Sequence, residues 1–362
     1  MEVCRMSIII GLGNAGTQIV KRAVESPLLS REKFYSIDSV TSSTNMKTVG
    51  KVTSIPIISD SRSGSGRNRE RGKAMFDFHI PDDSMQDMFN ECVNSESRVI
   101  AISSAAGGTG SGSIVSLCAE LINRGVNVIP IIICPNEADP IAYHINTNDL
   151  FVELDEAGVS TYTVFRNPQG TDYDAINSDV VKSIEVMLGY HYEQTDLDSI
   201  DDSDLDTIME IPGRLISVYC SAPDTKTLKK ELTRKILAGF QPGWTTEEAS
   251  STTMMAAFSL SSVFASSDFD EVFSEVQDRL GESYDIYKNI ANIDENSKAT
   301  ATAIIAGLPT VKLKHMTSDF NQAGSIGEGM KKSQKPAFMS KKKAHIETDE
   351  NTTSGGRKFR WN

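Results

Sequence analysis

The stretch Ala106-Gly107-Gly108-Thr109-Gly110-Ser111-Gly112 constrains this chain more than any other. It follows an apolar run, Arg98 to Ile102. It precedes Ile114, Leu117, Cys118, Leu121 and Ile122, which recur at helical spacing until Gly125 supplies a stop. Four glycines interleaved with hydroxyl residues, set between a strand and a helix start, leave backbone N–H groups free to cradle phosphates. A plain turn has little need of so many. No lysine follows, so this is not a Walker A loop. A side chain at Gly108 or Gly110 is expected to occupy space that a phosphate needs.

A second glycine turn, Gly11-Leu12-Gly13-Asn14-Ala15-Gly16, follows the buried strand Ser7–Ile10 and leads into a helix from Gln18. With Asp38 about twenty residues further on it is formally a dinucleotide fingerprint, the acid reaching a ribose hydroxyl. Taken alone it fits a tight strand-to-helix turn equally well. Further strand signals at Phe34–Ile37, Val126–Ile133 and Tyr162–Phe165 alternate with helical ones, which predicts a parallel sheet covered on both faces. Ile176, Val180, Val181, Ile184 and Leu188 mark a long helix, and an acidic loop, Asp196 to Asp206, follows it. The pattern then restarts: strand Leu215–Tyr219, helix Leu228–Leu237, strand Met254–Leu260, helix Phe269–Leu280, strand Ala299–Ala306.

These loops together resemble those of the tubulin/FtsZ superfamily, whose signature is G-G-G-T-G-[ST]-G, with Ala106 here in place of the first glycine. The resemblance spans roughly residues 6–310. Residues 11–18 are similar to its first nucleotide loop, and Ser36-Ile37-Asp38-Ser39 to the second. Ser63-Gly64-Ser65-Gly66-Arg67-Asn68-Arg69 resembles the loop that approaches the γ-phosphate, in a form nearest to phage tubulins. The resemblance implies an α/β fold in which a parallel-sheet GTP-binding domain (1–172) is joined by a central helix (173–195) to a smaller α/β domain (196–310). A basic tail (311–362) lies outside it. It implies GTP/GDP and Mg²⁺ as cofactors, held by Gly13, Asn14, Ala15, Gly16, Thr17, Gln18, Asp38, Gly66, Asn68 and the run Ala106, Gly107, Gly108, Thr109, Gly110 and Ser111. Glu137 would meet the sugar hydroxyls. Tyr173 would stack on guanine, with Asn177 one helical turn on and Asn167 ahead of it as base contacts.

Asp201-Asp202-Ser203-Asp204 resembles the family's catalytic loop, which makes Asp201 and Asp204 the catalytic carboxylates. Read without the family, the run is a solvated acidic loop. In the family this loop is inserted over the γ-phosphate of the next subunit, so the implied protein is a GTPase that polymerises with itself, head to tail, in phage or plasmid DNA positioning. Two rivals stay open. One is an NAD(P)-dependent oxidoreductase built on residues 11–16 and Asp38, which leaves residues 106–112 unused. The other is a GTP-binding structural filament with weak hydrolysis.

The formal net charge is −13, which argues against direct nucleic-acid binding by the folded body. Residues 326–362 run the other way: nine Lys and Arg against four acids make them +5, against −18 for the rest. With few apolar residues, that tail is expected to stay extended and to contact an adaptor or a neighbouring subunit. Five scattered cysteines (Cys4, Cys92, Cys118, Cys134 and Cys220) suit reduced thiols in a cytoplasm. Five histidines lack any ligand spacing. The longest apolar stretch, Val126 to Cys134, is too short for a membrane span.

Overall fold

The computed structural model describes residues 6–39, 51–58, 64–95, 98–167, 173–192, 200–240, 254–261, 284–291 and 299–310. Cys4, the helix expected at Phe269–Leu280, Asp196, Asp198 and the basic tail lie outside the described residues.

The chain opens β1 (Ile8–Leu12), α1 (Gly13–Val24), β2 (Lys33–Asp38), β3 (Val52–Pro56), α2 (Arg69–His79), α3 (Asp83–Asn94), β4 (Val99–Ser104) and α4 (Thr109–Asn123). It continues β5 (Val128–Cys134), α5 (Ile141–Glu156), β6 (Thr161–Arg166), α6 (Tyr173–Met187), α7 (Asp202–Met209), β7 (Gly213–Ala222) and α8 (Thr225–Phe240). Three strands complete it: β8 (Met254–Ser261), β9 (Tyr284–Ala291) and β10 (Ala299–Leu308).

All ten described strands form one sheet, ordered β3-β2-β1-β4-β5-β6-β7-β10-β8-β9. From β3 to β7 every neighbouring pair is parallel, with Ile8 opposite both Lys33 and Val99. The expected parallel pattern breaks at β10, which runs antiparallel to β7 and β8. The first six strands follow the order of a doubly wound nucleotide-binding sheet, whose direction of winding reverses between β1 and β4.

Side chains alternate across β1, and both of its faces are buried. Ile8, Ile10 and Leu12 join the core beneath α2 to α5, with Met75, Phe89, Leu117 and Phe151. Ile9 joins the opposite core with Ile19 and Val20 of α1, Val180 and Ile184 of α6, and Leu205 and Ile208 of α7. Two-sided burial is why the strand reads as an unbroken apolar run. Among the described residues no helix is long and apolar enough to cross a membrane, and Cys92, Cys118, Cys134 and Cys220 are buried free thiols.

Candidate nucleotide site and acidic helix

The two glycine stretches are each half loop and half helix. The expected helix start at Gln18 moves back to Gly13, and Thr109–Gly112 form the first turn of α4. Neither helix has a side-chain cap: Leu12 and Gly108 stand at the two N-cap positions and neither offers a hydrogen-bonding side chain. The first N–H groups of a helix have no intrahelical partner. Here two such ends meet. Gly13 sits at φ +65°, where a side chain is strained, and its Cβ would lie 2.8 Å from the Gly110 nitrogen. The two positive helix ends therefore open onto a single cavity.

That cavity measures about 620 Å³ and lies at the C-terminal ends of β1, β2, β4, β5 and β6. Gly13, Asn14, Ala15, Gln18, Asp38, Gly66, Ala106, Gly107, Gly108, Thr109, Gly110, Asn167, Tyr173 and Asn177 all line it. Loops from six separate stretches of sequence converge there. Tyr173 and Asn177 stand one turn apart at the start of α6, and Tyr173 is half exposed where it lines the cavity.

Other predicted residues sit behind the wall. Gly16 packs against the sheet, where a Cβ would meet the Ile102 carbonyl at 2.3 Å. Thr17 is buried, with its hydroxyl 3.0 Å from that of Ser36. Asn68 caps α2 by accepting from the Arg71 N–H at 2.8 Å. The Ser111 hydroxyl accepts from Arg69 Nε at 2.8 Å, and the Arg69 guanidinium also forks onto Glu153 at 2.7 and 2.8 Å. Glu137 is exposed and accepts from Arg166 Nη1 at 3.0 Å, while Asp139 of the same loop lines the cavity.

The steric expectation for the glycines needs correction. A Cβ at Gly108 would strike protein, the Ser65 hydroxyl at 2.3 Å and the Asn68 nitrogen at 2.6 Å. At Gly110 it would strike the Leu12 carbonyl at 2.6 Å. Only Gly107 in this run faces open space, with nothing within 4 Å. It lines the cavity and leaves the space beside its own Cα open.

Sequence reasoning missed Arg67 and Tyr143, which also line the cavity. Arg67 was within reach, since it lies inside the quoted glycine-arginine stretch. Tyr143 lies on α5, which the sequence analysis did not find. Among the described residues no group of three or more His, Cys, Asp or Glu could hold a metal.

Asp201 and Asp204 are elsewhere. The expected acidic loop is here the start of a helix: Asp201 caps α7, its Oδ1 accepting from the Asp204 N–H at 2.9 Å, and Asp204 Oδ2 accepts in return from the Asp201 N–H at 3.1 Å. This reciprocal box satisfies two backbone donors and holds both carboxylates at the helix tip. Arg98, immediately before β4, pins the helix. Its guanidinium donates to Asp206 Oδ1 at 2.8 Å and to the Asp202 and Met187 carbonyls at 3.0 and 3.2 Å. A cavity of about 310 Å³ at this edge is lined by Ser7, Arg98 and Val126, all at strand starts, with Asp202 and Asp206. Glu32 lines it too; burial raises its carboxyl above the ordinary range, against hydrogen bonds from Tyr190 and Ser7. The α7 tip and the glycine loop thus lie at opposite ends of β4, six residues or roughly 20 Å apart.

No family model and no curated protein sequence matches the chain. Solved structures do. CetZ1 from Haloferax volcanii, a GDP-bound monomer, superposes with a TM-score of 0.66 at 18% identity, covering 89% of this chain and 99% of that one. TubZ of Bacillus thuringiensis serovar israelensis, a GTPγS-form protofilament, gives 0.65 at 16% identity over 91% and 95%. An FtsZ dimer from M. jannaschii gives 0.64 at 15% identity over 87% and 90%. With one winding of strands, one cavity at their C-terminal ends and these neighbours, the chain has the tubulin/FtsZ fold.

Proposed function

We propose that the chain is a GTPase that assembles head to tail, binding GTP in the 620 Å³ cavity and hydrolysing it where a second copy's α7 caps that cavity. One observation carries this reading. Two uncapped helix ends converge on a site suited to phosphates, and the paired acids Asp201 and Asp204 lie at the opposite edge of the same sheet. Within one chain they are too far apart to act together, whereas a polar stack brings each acid pair to the next molecule's cavity.

Phosphoryl transfer asks for phosphate charge to be stabilised and for a water to be positioned. N–H groups of residues 13–15 and 107–110 would hold the phosphates. Tyr173, Asn177 and Asn167 would take the base, and Asp139 is better placed than Glu137 for the ribose side. Asp201 and Asp204 of the stacked copy would orient the attacking water. Mg²⁺, when bound, neutralises phosphate charge. The guanine nucleotides and protofilaments named for the neighbours support this reading. So does the presence among them of a TubZ from Clostridium botulinum phage c-st, in keeping with work on phage or plasmid DNA in a host cytoplasm.

The dinucleotide alternative would use Asp38 and the first glycine turn but leave the uncapped end of α4 without a role. Two measurements on purified protein decide between them. Guanine nucleotide should co-purify, and phosphate release from GTP should begin only above a threshold protein concentration. Nicotinamide in place of guanine, or release strictly proportional to concentration, would overturn the proposal.

A further inference from the structure

We propose that a second cavity, where β6 and β7 part, binds a small organic anion: an apolar body carrying one carboxylate, sulfonate or phosphate group. The site shares no lining residue with the nucleotide cavity and does not depend on the GTP reading.

The topology opens this cavity. β6 and β7 pair from Thr161–Gly213 to Thr163–Leu215. Beyond that point β7 runs on to Ala222 with its other edge held by β10, while β6 ends at Arg166. Val164–Arg166 then form one wall and Ile216–Tyr219 another. Ile176 and Asp179 of α6, with Arg234, Lys235 and Ala238 of α8, complete the lining. The space measures about 510 Å³, which suits a small organic molecule better than a bare ion.

Charge sets the class of ligand. Arg166, Arg214, Arg234 and Lys235 line the cavity, and among the described residues Asp179 is the one acid with them. The other two cavities run the opposite way. The nucleotide cavity has Asp38 and Asp139 against Arg67, and the one beside α7 has Glu32, Asp202, Asp206 and Glu210 against Arg98. On a chain of net charge −13, a cationic cavity is a local attractor for anions. Two of its cations also meet acids off the wall: Arg166 donates to Glu137 at 3.0 Å and Arg234 to Glu231 at 2.6 Å. With both acids counted, four cations face three carboxylates, and one positive charge is left over.

Arg214 is the buried cation, at 3% exposure. Its Nε and Nη1 donate to the Pro309 and Gly239 carbonyls at 2.6 and 2.8 Å. Those carbonyls fix the guanidinium and carry no formal charge, and burial holds its pKa below the ordinary arginine value. A ligand anion alongside would offset the cost of keeping that charge from water, through charge-assisted hydrogen bonds. Lys235 is fixed in the same manner, its Nζ donating to Asp179 at 2.9 Å and to the Tyr219 carbonyl at 3.1 Å. Around these charges Phe165, Ile176, Leu215 and Val218 supply contact for an apolar body. Thr163, on the same lining, is 2% exposed, and its hydroxyl has no hydrogen-bond partner among the described residues. Buried hydroxyls ordinarily have one, and a ligand oxygen would supply it.

The test titrates full-length protein with anilinonaphthalene sulfonate, a fluorescent apolar dye bearing one sulfonate, with and without saturating GDP. The wild type should bind the dye saturably under both conditions. Indoleacetate should displace it at a concentration where neutral indoleacetamide does not. Lys235→Met and Arg214→Met keep an apolar stem and should weaken dye binding by about tenfold or more. Arg214→Met also strips two carbonyls of their donor, which costs stability, so Ala238→Trp stands beside it. Ala238 is exposed, and tryptophan there fills the cavity without removing a charge. That variant should keep the wild-type thermal midpoint and lose the dye. Unchanged dye affinity in folded Lys235→Met and Ala238→Trp would place the dye elsewhere and overturn the proposal. Displacement of the dye by GDP, or a wild type that binds none, would overturn it as well. Equal displacement by the two indoles would show an apolar pocket indifferent to charge, and would end the claim that it selects anions.

Discussion

A β-carbon at position 107, on the cavity wall, would meet no atom within 4 Å, whereas one at 108 would strike Ser65 and the backbone of residues 67 and 68. That contrast makes a sharp test of ligand placement. Gly107→Val should fold with a near-wild-type thermal midpoint, because its Cβ has no atom within 4 Å, yet bind GTP more weakly by about a hundredfold or more. Gly108→Val should lose stability first, since it must push the backbone of residues 67 and 68 aside, and a calorimetric scan separates the two cases. A second residue reports on the packing behind the site. Glu185 is 1% exposed, accepts from Ser26 Oγ and Lys182 Nζ at 2.7 Å each, and has His191 Nε2 at 2.8 Å. Burial alone would raise its carboxyl, but these three partners more than reverse that, lowering it from the ordinary 4.5 to about 2. Because the folded value is the lower one, the stabilisation is fully present above about pH 4.5 and is lost as pH falls toward 2. Glu185→Gln should therefore cost on the order of 2–3 kcal/mol at neutral pH. The gap to wild type should close between pH 4.5 and 2 in urea titrations.

On the proposed mechanism helix α7 would carry both its own cap and the catalysis on one pair of side chains, and substitutions can separate the two. Asp201→Ala removes the N-cap, which costs about 1 kcal/mol, as well as the charge. Asparagine caps as well as aspartate does, so Asp201→Asn should keep α7 and its stability while removing one carboxylate. Asp201→Asn and Asp204→Asn are expected to assemble with GTP into long-lived polymer while phosphate release falls by about a hundredfold. Normal turnover in both would remove these acids from the chemistry. This helix also marks a limit of what the sequence revealed. The glycine stretches were legible because close backbone approaches at Gly11, Gly16, Gly108 and Gly110 leave no room for a Cβ, and β1 because two-sided burial gives an unbroken apolar run. The acids of α7 read as loop because Asp202, Ser203 and Asp204 are weak helix formers away from a cap. Helix α5 was hidden for another reason: Ile141, Ile145 and Val152 are exposed while Leu150, Phe151 and Leu154 are buried, so its apolar residues form no single stripe. Tyr143 was lost with it. Helix α3 was findable, with Met85, Met88, Phe89 and Cys92 recurring at helical spacing and all buried. The antiparallel placement of β10 was not, because strand order depends on pairing partners distant in sequence.

At the scale of the whole molecule, charge and polarity make separate predictions. Residues 326–362 carry +5 on a chain whose remainder carries −18. Attraction between that segment and an acidic neighbour is screened beyond about a Debye length, roughly 10 Å at 0.1 M salt. Deleting residues 326–362 should leave GTP affinity unchanged and raise the critical concentration for assembly at low salt, with the difference vanishing as salt rises; light scattering across a salt series reads it. The stronger test exploits the opposite placement of cavity and acids. A chain with both Asp201→Asn and Asp204→Asn keeps a cavity that binds GTP but has no acids to offer a neighbour. A Gly107→Val chain keeps the acids and has no GTP of its own. Each alone should be nearly inactive. If hydrolysis belongs to the contact between copies, the acid-bearing end of the second chain can dock on the GTP-filled end of the first, and that junction holds every required part. Mixing the two inactive proteins in equal amounts should then restore turnover, to roughly a quarter of the wild-type rate when copies alternate at random along a head-to-tail polymer. An enzyme whose site lies within one chain cannot behave this way, because neither partner has a complete site. A mixture as inactive as its components, with both found in the same sedimented polymer, would place the chemistry within the single chain and end the composite-site model.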